Sequence, residues 1–332
     1  MTGAHSTISR WDVVLVSNKV LASDEDGCVR RYPPVSERVD LADGLWIGPI
    51  PSSLAMLSMK VCAQDAPRTG VLYASVLENP VGVVWDPSAQ LQTAVALSHF
   101  VRATETGLEY AATVTFVKGE RPVIERASIL TPYRKAWCSN ERHRRWLTVE
   151  DALVLKELIA QYKALRPTLK RSKTGRALRD FVETPYLYGA IPRALVVSCV
   201  LEALVNSGSE RSTAQFHHRV PLLAKELGVA SVDEAWAKKA YSFRSALAHG
   251  GDPASPLGGG QALDREFRDM VAKMEDLTRA ALRRALLDPE WLAALDDPQS
   301  RWPVAAAACA TCRKSKHTGA IALRCPRCSR EL

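Results

Sequence analysis

The apolar positions change their period along the chain. In residues 1–147 they form short Val-rich runs closed by turn residues. WDVVLV, LYASVL and VGVVW read as strands, since β-branched runs of this length between turn signals favour a pleated backbone. LEYAATVTFV and PVIERASIL read as two more, with a hairpin turn at Lys118-Gly119-Glu120. Asp86 before Pro87 marks a helix start, a capping carboxylate followed by a first-turn proline. Its apolar face is Leu91, Val95, Ser98 and Val101. A short helix is expected after Pro51, through Leu54 and Leu57. This region is expected to be a mixed α+β domain.

From residue 148 the period is helical. Thr148 and Asp151 open a helix with the stripe Ala152, Leu155, Ile159 and Tyr162. The domain boundary is expected near Trp146. Between Arg166 and Arg179 stand six basic residues and no acidic one, with Pro167 and Gly175 predicting a loop in the first half. Lys170, Arg171 and Lys173 in this stretch either line a polyanion backbone or form an exposed loop. Pro192 begins a strongly apolar helix, Ala194 to Val205, expected at the centre of a bundle. Glu202 lies inside it, and a carboxylate so placed needs a partner, for which Arg219 is the candidate. His217 and His218 are adjacent, so their rings point apart and make no metal pair. Leu263, Phe267, Met270, Met274, Leu277 and Ala281 form the stripe of a long helix ended by Asp288-Pro289. The expected architecture is an α+β domain (1–147), an all-α bundle (148–287), a linker (288–308) and a small tail domain (309–332).

One helix stands out, SVDEAWAKKAYSFRSALAHGG, from Ser231 to Gly251. Ser231 and Glu234 have the spacing of a capping box, and Gly250 follows the last periodic residue, where a left-handed cap is needed. Trp236, Ala240, Phe243 and Leu247 form its expected core stripe. At about 100° per residue, Arg244 lies roughly 70° from the stripe centre and about 140° from His249. Tyr241, Ser245 and Ala248 fill the arc between them. The basic pair is therefore expected to face solvent or a partner. His249 ends the helix beside its free carbonyls, where the dipole favours positive charge. A permanent cation beside a proton-transfer group suits a phosphodiester substrate.

FRSALAHG resembles the Arg-x4-6-His motif of HEPN domains, helical modules that include metal-independent ribonucleases. ALVVSCVLEALV, QFHHRVPLLAKELGV and AYSFRSALAHGG resemble the Apea-like HEPN group in order and spacing, over residues 150–287. The resemblance implies Arg244 and His249 as catalytic residues, with Glu202 as an acidic residue supporting them. It implies dimerisation through the motif helix and a role in bacterial defence or stress, such as abortive infection. HEPN domains without activity exist, so Arg244 paired to a carboxylate and His249 as a plain helix end remain the alternative.

The tail carries its own signal. Cys309-Ala-Thr-Cys312 and Cys325-Pro-Arg-Cys328 are two CxxC pairs, the spacing of a tetrahedral zinc site with all four positions filled, hence structural. The segment resembles a zinc ribbon. So small a domain has too little apolar core to fold without the metal. The remaining four cysteines stand apart, which argues for a reducing compartment over a disulfide framework.

A net charge of +8 favours polyanionic partners mildly, while Arg313, Lys314, Lys316, Arg324, Arg327 and Arg330 concentrate charge around the tail cysteines. No apolar run approaches a membrane span, and the first residues lack a secretory pattern, so a cytoplasmic protein is expected. No Walker loop, dinucleotide fingerprint or HExxH is present. The sequence thus points to an RNA-cleaving HEPN protein without a catalytic metal, using Arg244, His249 and Glu202, with Tyr241, Ser245, Lys170, Arg171 and Lys173 against the substrate. The alternative is a non-catalytic HEPN and zinc-ribbon protein that binds nucleic acid or a protein partner.

Overall fold

The computed structural model describes residues 8–17, 37–42, 45–49, 70–76, 87–102, 110–117, 123–129, 147, 149–184, 187, 190–206, 212–252 and 263–297. The chain divides into two compact units, Met1–Ala160 with Pro185–Leu187, and Gln161–Thr184 with Tyr188–Leu332.

The first unit contains a six-stranded antiparallel sheet. Its strands are β1 (Ile8–Ser17), β2 (Val39–Ala42), β3 (Leu45–Pro49), β4 (Gly70–Val76), β5 (Tyr110–Val117) and β6 (Val123–Ile129). Their order is β2-β3-β4-β1-β5-β6. β5 and β6 pair as the expected hairpin, with Thr115 opposite Val123 and a register shift at Thr113/Val114. Helix α1 (Pro87–Val101) packs on the central strands β1 and β4. It buries Val95, Ser98 and Val101 of the expected face, and also Ala94, Leu97 and Phe100.

The pair β2–β3 was not read from the sequence. Both strands are short, and Leu45, Trp46 and Ile47 are all buried, so β3 shows no alternation to read. The available signal was Asp43-Gly44 between Ala42 and Leu45, which are register partners. The VGVVW strand, the helix after Pro51, the Lys118 turn and the Asp86 cap lie outside the described residues.

Helix α2 (Val149–Leu169) begins in the first unit and ends in the second. The division between the units falls at Ala160/Gln161, inside this helix, while Trp146, near which the boundary is expected, lies outside the described residues. Two bonds explain why its start belongs with the sheet. Arg102 Nε donates to Asp151 Oδ2 at 2.9 Å and Arg102 Nη2 to Asp151 Oδ1 at 3.1 Å, a fork-to-fork pair that ties α2 to the end of α1.

The second unit is helical. It contains α3 (Lys173–Glu183), α4 (Ala190–Val205), α5 (Ser212–Leu227), α6 (Glu234–Ala248), α7 (Leu263–Leu287) and α8 (Pro289–Asp296). Helix α4 packs against α3, α5, α6 and α7, as its apolar sequence requires. It buries Ala194, Val197, Val200, Leu201, Leu204 and Val205. Its Arg193 and Glu275 of α7 form an ion pair, each side chain under 5% exposed. A pair so enclosed holds two helices in register because neither charge has water as an alternative.

The loop expected in the Arg166–Arg179 stretch is reduced to Lys170, Arg171 and Ser172. Helix α2 continues through Pro167 because the buried Leu169 anchors its last turn, and Lys170 N–H still reaches Arg166 O. Ser172 caps α3 by accepting from Gly175 N–H at 2.8 Å. Likewise Asp288 does not lead into a linker. Its carboxylate accepts from Trp291 N–H and, with Pro289 at the first position, starts α8, which buries Trp291, Leu292 and Leu295.

The tight corner between α2 and α3 generates a prediction. A Cβ on Gly175 would stand 1.7 Å from Leu169 O. Gly175→Ala must force the two helices apart, and urea unfolding should show a loss of about 1–3 kcal/mol, the usual cost of overpacking.

Candidate functional site

The motif helix α6 forms where expected, but its start differs. Asp233, not Ser231, is the N-cap, accepting from Trp236 N–H at 2.7 Å. Ser231 has φ +62, whereas a capping residue needs an extended backbone. Glu234 then falls at the first helical position and pairs with Lys238 at 2.8 Å instead of closing a capping box. At the other end His249 is the C-cap and Gly250 has φ +69, the left-handed stop foreseen there.

The core face is turned relative to the expected stripe. Ala237, Ala240 and Phe243 are fully buried, while Trp236 and Leu247 are only half-buried. The buried set is centred roughly 30° from the predicted stripe, toward Arg244. Arg244 therefore does not face away from its own core. Its side chain is 23% exposed and its Nη2 lies 2.6 Å from Glu202 Oε2 on α4. Glu202 is thus paired, but to Arg244 and not to the expected Arg219, whose Nη1 donates to Val205 O at 2.7 Å. Cys199, one turn before Glu202 on α4, lies within the electrostatic reach of the Arg244 guanidinium. Burial pushes the Cys199 thiol up, the Arg244 charge pulls it down, and Glu202 pushes it up again. Arg244 Nε is buried without a hydrogen-bond partner.

The arc between Arg244 and His249 is partly covered by the chain itself. Tyr241 packs on α5, with its ring 5.4 Å from Phe216 and 5.5 Å, edge-on, from His217. Its hydroxyl lies 3.5 Å from Ser212 Oγ. Burial and the charge of Lys238 hold the His217 imidazole below its ordinary value, against the opposing pull of Glu234. His218 points to solvent, as adjacent positions on a helix require. Ser245 is half-buried, and Ala248 and His249 are exposed.

The three lysine-arginine candidates separate. Lys170 and Arg171 are exposed. Lys173 is turned inward, donating from Nζ to Leu204 O and Asn206 O, both at 3.2 Å. With Arg219 on Val205 O, it closes the carboxyl end of α4, where orphan carbonyls and the helix dipole both attract cations. Burial lowers the Lys173 ammonium to about 8, with Arg219 adding to the fall and Asp296 opposing it. Nothing marks Cys199 or Asn206 in the sequence beyond their places three before and four after Glu202, yet Asn206 donates to Glu202 Oε1 at 3.3 Å.

Among the described residues no three His, Cys, Asp or Glu side chains gather as a metal site. Cys309, Cys312, Cys325 and Cys328, and residues 253–262 of the glycine-rich stretch after the motif helix, lie outside the described residues. No described helix is long and apolar enough to cross a membrane.

Arg244 and Glu202 meet near the end of α4, while His249 lies further along α6. A permanent cation is fixed by a carboxylate, and an exposed imidazole stands five residues along the same helix. Such a set can bind an anionic oxygen and move a proton.

Lys173 gives a pH signature. Its folded-state value of about 8 lies below the ordinary 10.5, so between these the unfolded chain holds more protons and stability rises with pH. Urea unfolding across this window should show the wild type gaining on Lys173→Met, by no more than about 1.4 kcal/mol per pH unit. Parallel curves for the two proteins would mean that Lys173 is not buried as described.

Comparison with known protein families, characterised proteins and solved structures finds no match.

Proposed function

We propose that the protein is a metal-independent endoribonuclease of HEPN type that acts in bacterial defence or stress from the cytoplasm. The observation that carries this reading is the identity of the Arg244 partner, since the carboxylate is Glu202, the acidic residue that the resemblance implies in support of the site. A carboxylate on α4 holds the motif arginine 2.6 Å away, with its charge still partly open to solvent. An exposed histidine follows on the same helix.

In the proposed reaction His249 takes the proton from an RNA 2′-hydroxyl. The 2′-oxygen forms a bond to the neighbouring phosphorus, and the bond from phosphorus to the 5′-oxygen breaks. The leaving 5′-oxygen recovers a proton from the imidazolium, and the products are a 2′,3′-cyclic phosphate and a 5′-hydroxyl. Arg244 stabilises the extra negative charge on the phosphorane oxygens. Glu202 fixes the guanidinium and takes no part in proton transfer. Ser245 borders the substrate, and the exposed Lys170 and Arg171 extend the contact along its backbone. Tyr241 acts from beneath, since α5 already covers its ring.

The active unit in this reading is a two-fold dimer through the C-terminal half of the motif helix. Ala248 and His249 are exposed at the end of the arc with Ser245 half-buried beside them, and an isologous contact there brings two Arg-His pairs together. The four tail cysteines hold a structural zinc, and the basic residues around them add RNA affinity.

Arg244→Ala and His249→Ala should each lower RNA cleavage at least about a hundredfold, the scale of a lost charge-stabilising or proton-transfer group. His249→Ala should leave unfolding within about 0.5 kcal/mol of wild type because the residue is exposed. Products lacking a cyclic phosphate, or cleavage surviving both substitutions, would leave a non-catalytic protein that binds nucleic acid through a paired, structural Arg244.

Elemental analysis of protein purified without chelator should give one zinc per chain. Cys325→Ser should abolish zinc binding while the circular dichroism of the helical region persists. A metal-free wild type would remove the zinc assignment.

A further inference from the structure

We infer that Asn206 is a positioning residue for the Glu202–Arg244 pair. It holds one carboxylate oxygen so that the other faces the guanidinium. This rests on the cleavage reaction proposed above and adds a residue to it.

The argument starts from the carboxylate. Glu202 has three side-chain torsions and two equivalent oxygens, so a single bond to Arg244 leaves its orientation loose. Oε2 takes Arg244 Nη2 at 2.6 Å, and Oε1 takes Asn206 Nδ2 at 3.3 Å. Two donors on different oxygens remove the rotation. Asn206 is four residues beyond Glu202 and its backbone N–H reaches Glu202 O at 2.9 Å, so the helical ladder itself delivers the amide to the carboxylate.

Asn206 is in turn immobilised by groups outside its helix. Lys173 of α3 holds Asn206 O and Leu204 O, and Arg219 of α5 holds Val205 O. Three consecutive carbonyls at the end of α4 are therefore fixed by two cations from two other helices. That is more restraint than an ordinary frayed helix end receives.

The orientation of the amide supports a role toward Glu202. Asn206 Oδ1 is buried with no hydrogen-bond partner. Reversing the amide would set an oxygen against the Glu202 oxygen, so the carboxylate dictates the orientation at the cost of an unmade acceptor. An amide kept for its own solubility or for capping alone would not leave its acceptor buried. Aspartate in this place would have no donor when ionised and would repel Glu202.

The experiment compares Asn206→Ala and Asn206→Asp with the wild type in the full chain. Both variants retain the backbone contacts at residue 206, so an end-capping role predicts wild-type behaviour in each. As a positioning residue, Asn206→Ala should lower kcat by about tenfold with KM within about twofold, since a small misplacement of a catalytic group acts on the chemical step. Asn206→Asp should fall further near neutral pH, and its deficit relative to the wild type at the same pH should shrink as the pH is lowered, because a protonated aspartic acid regains a donor. Two variants with unchanged kcat and an unchanged pH profile would overturn the inference.

A second readout does not depend on cleavage. The Arg244 Nε–H, buried in the wild type, should give a slowly exchanging side-chain NMR signal, assigned by its absence in Arg244→Lys. In Asn206→Ala that signal should broaden or exchange rapidly while the backbone amide spectrum is retained. If the wild type cleaves no RNA, the proposed reaction falls and this signal still decides Asn206: its loss supports the positioning role, and its persistence in Asn206→Ala overturns it.

Discussion

Helix α4 packs against α3, α5, α6 and α7, and the polar groups it buries must find partners within the protein. That single constraint organises the helical unit. Arg193 near its start takes Glu275 of α7. Glu202 near its end takes Arg244 of α6. Its last carbonyls take Lys173 of α3 and Arg219 of α5. Each pairing names a different neighbour, so satisfying α4 fixes the register of four helices at once. An apolar helix of the same shape would pack as tightly, but nothing would specify its rotation or its slide.

The candidate site is a product of the same constraint. Arg244 is held because Glu202 is partly buried and needs a cation, and Glu202 is presented because the end of α4 is held. The price is visible in two buried atoms without partners, Arg244 Nε and Asn206 Oδ1, both beside the carboxylate. Unmade hydrogen bonds of about 1–3 kcal/mol each are seldom kept where packing alone is at stake. Their place next to the motif arginine fits the proposed chemistry, in which the orientation of one guanidinium matters more than the stability of one helix end.

The arc of α6 shows how tertiary packing narrows what a motif can do. Tyr241, Ser245 and Ala248 are equivalent in the sequence, as the residues between Arg244 and His249. Packing of Phe216 and His217 against Tyr241 gives the first of them to the interior of the chain. What stays exposed is Ala248 and His249, with Ser245 half-buried beside them. A second chain in the proposed dimer has only this short segment of the helix to meet, which sets both histidines near the contact.

Local rules determined much of this protein. Start signals, apolar runs and periodicity together located α1, α2, α4 and α7, the β5–β6 hairpin followed from two Val-rich runs, and Gly250 marked its helix end because a left-handed residue stops a helix that way. The sequence did not determine the partners. A hydrophobic stripe fixes a helix face only to within a fraction of the angle between successive residues. A turn of roughly 30° decided whether Arg244 met solvent or Glu202. Lys173 looked like one of six equivalent cations until the end of α4 was placed beside it, and Asp288-Pro289 looked like a stop until Trp291 was buried with its indole N–H on Glu226. Charge and hydrogen bonding act over a few ångströms in space, whatever the separation along the chain, so which cation meets which carboxylate was decided only when the helices came together.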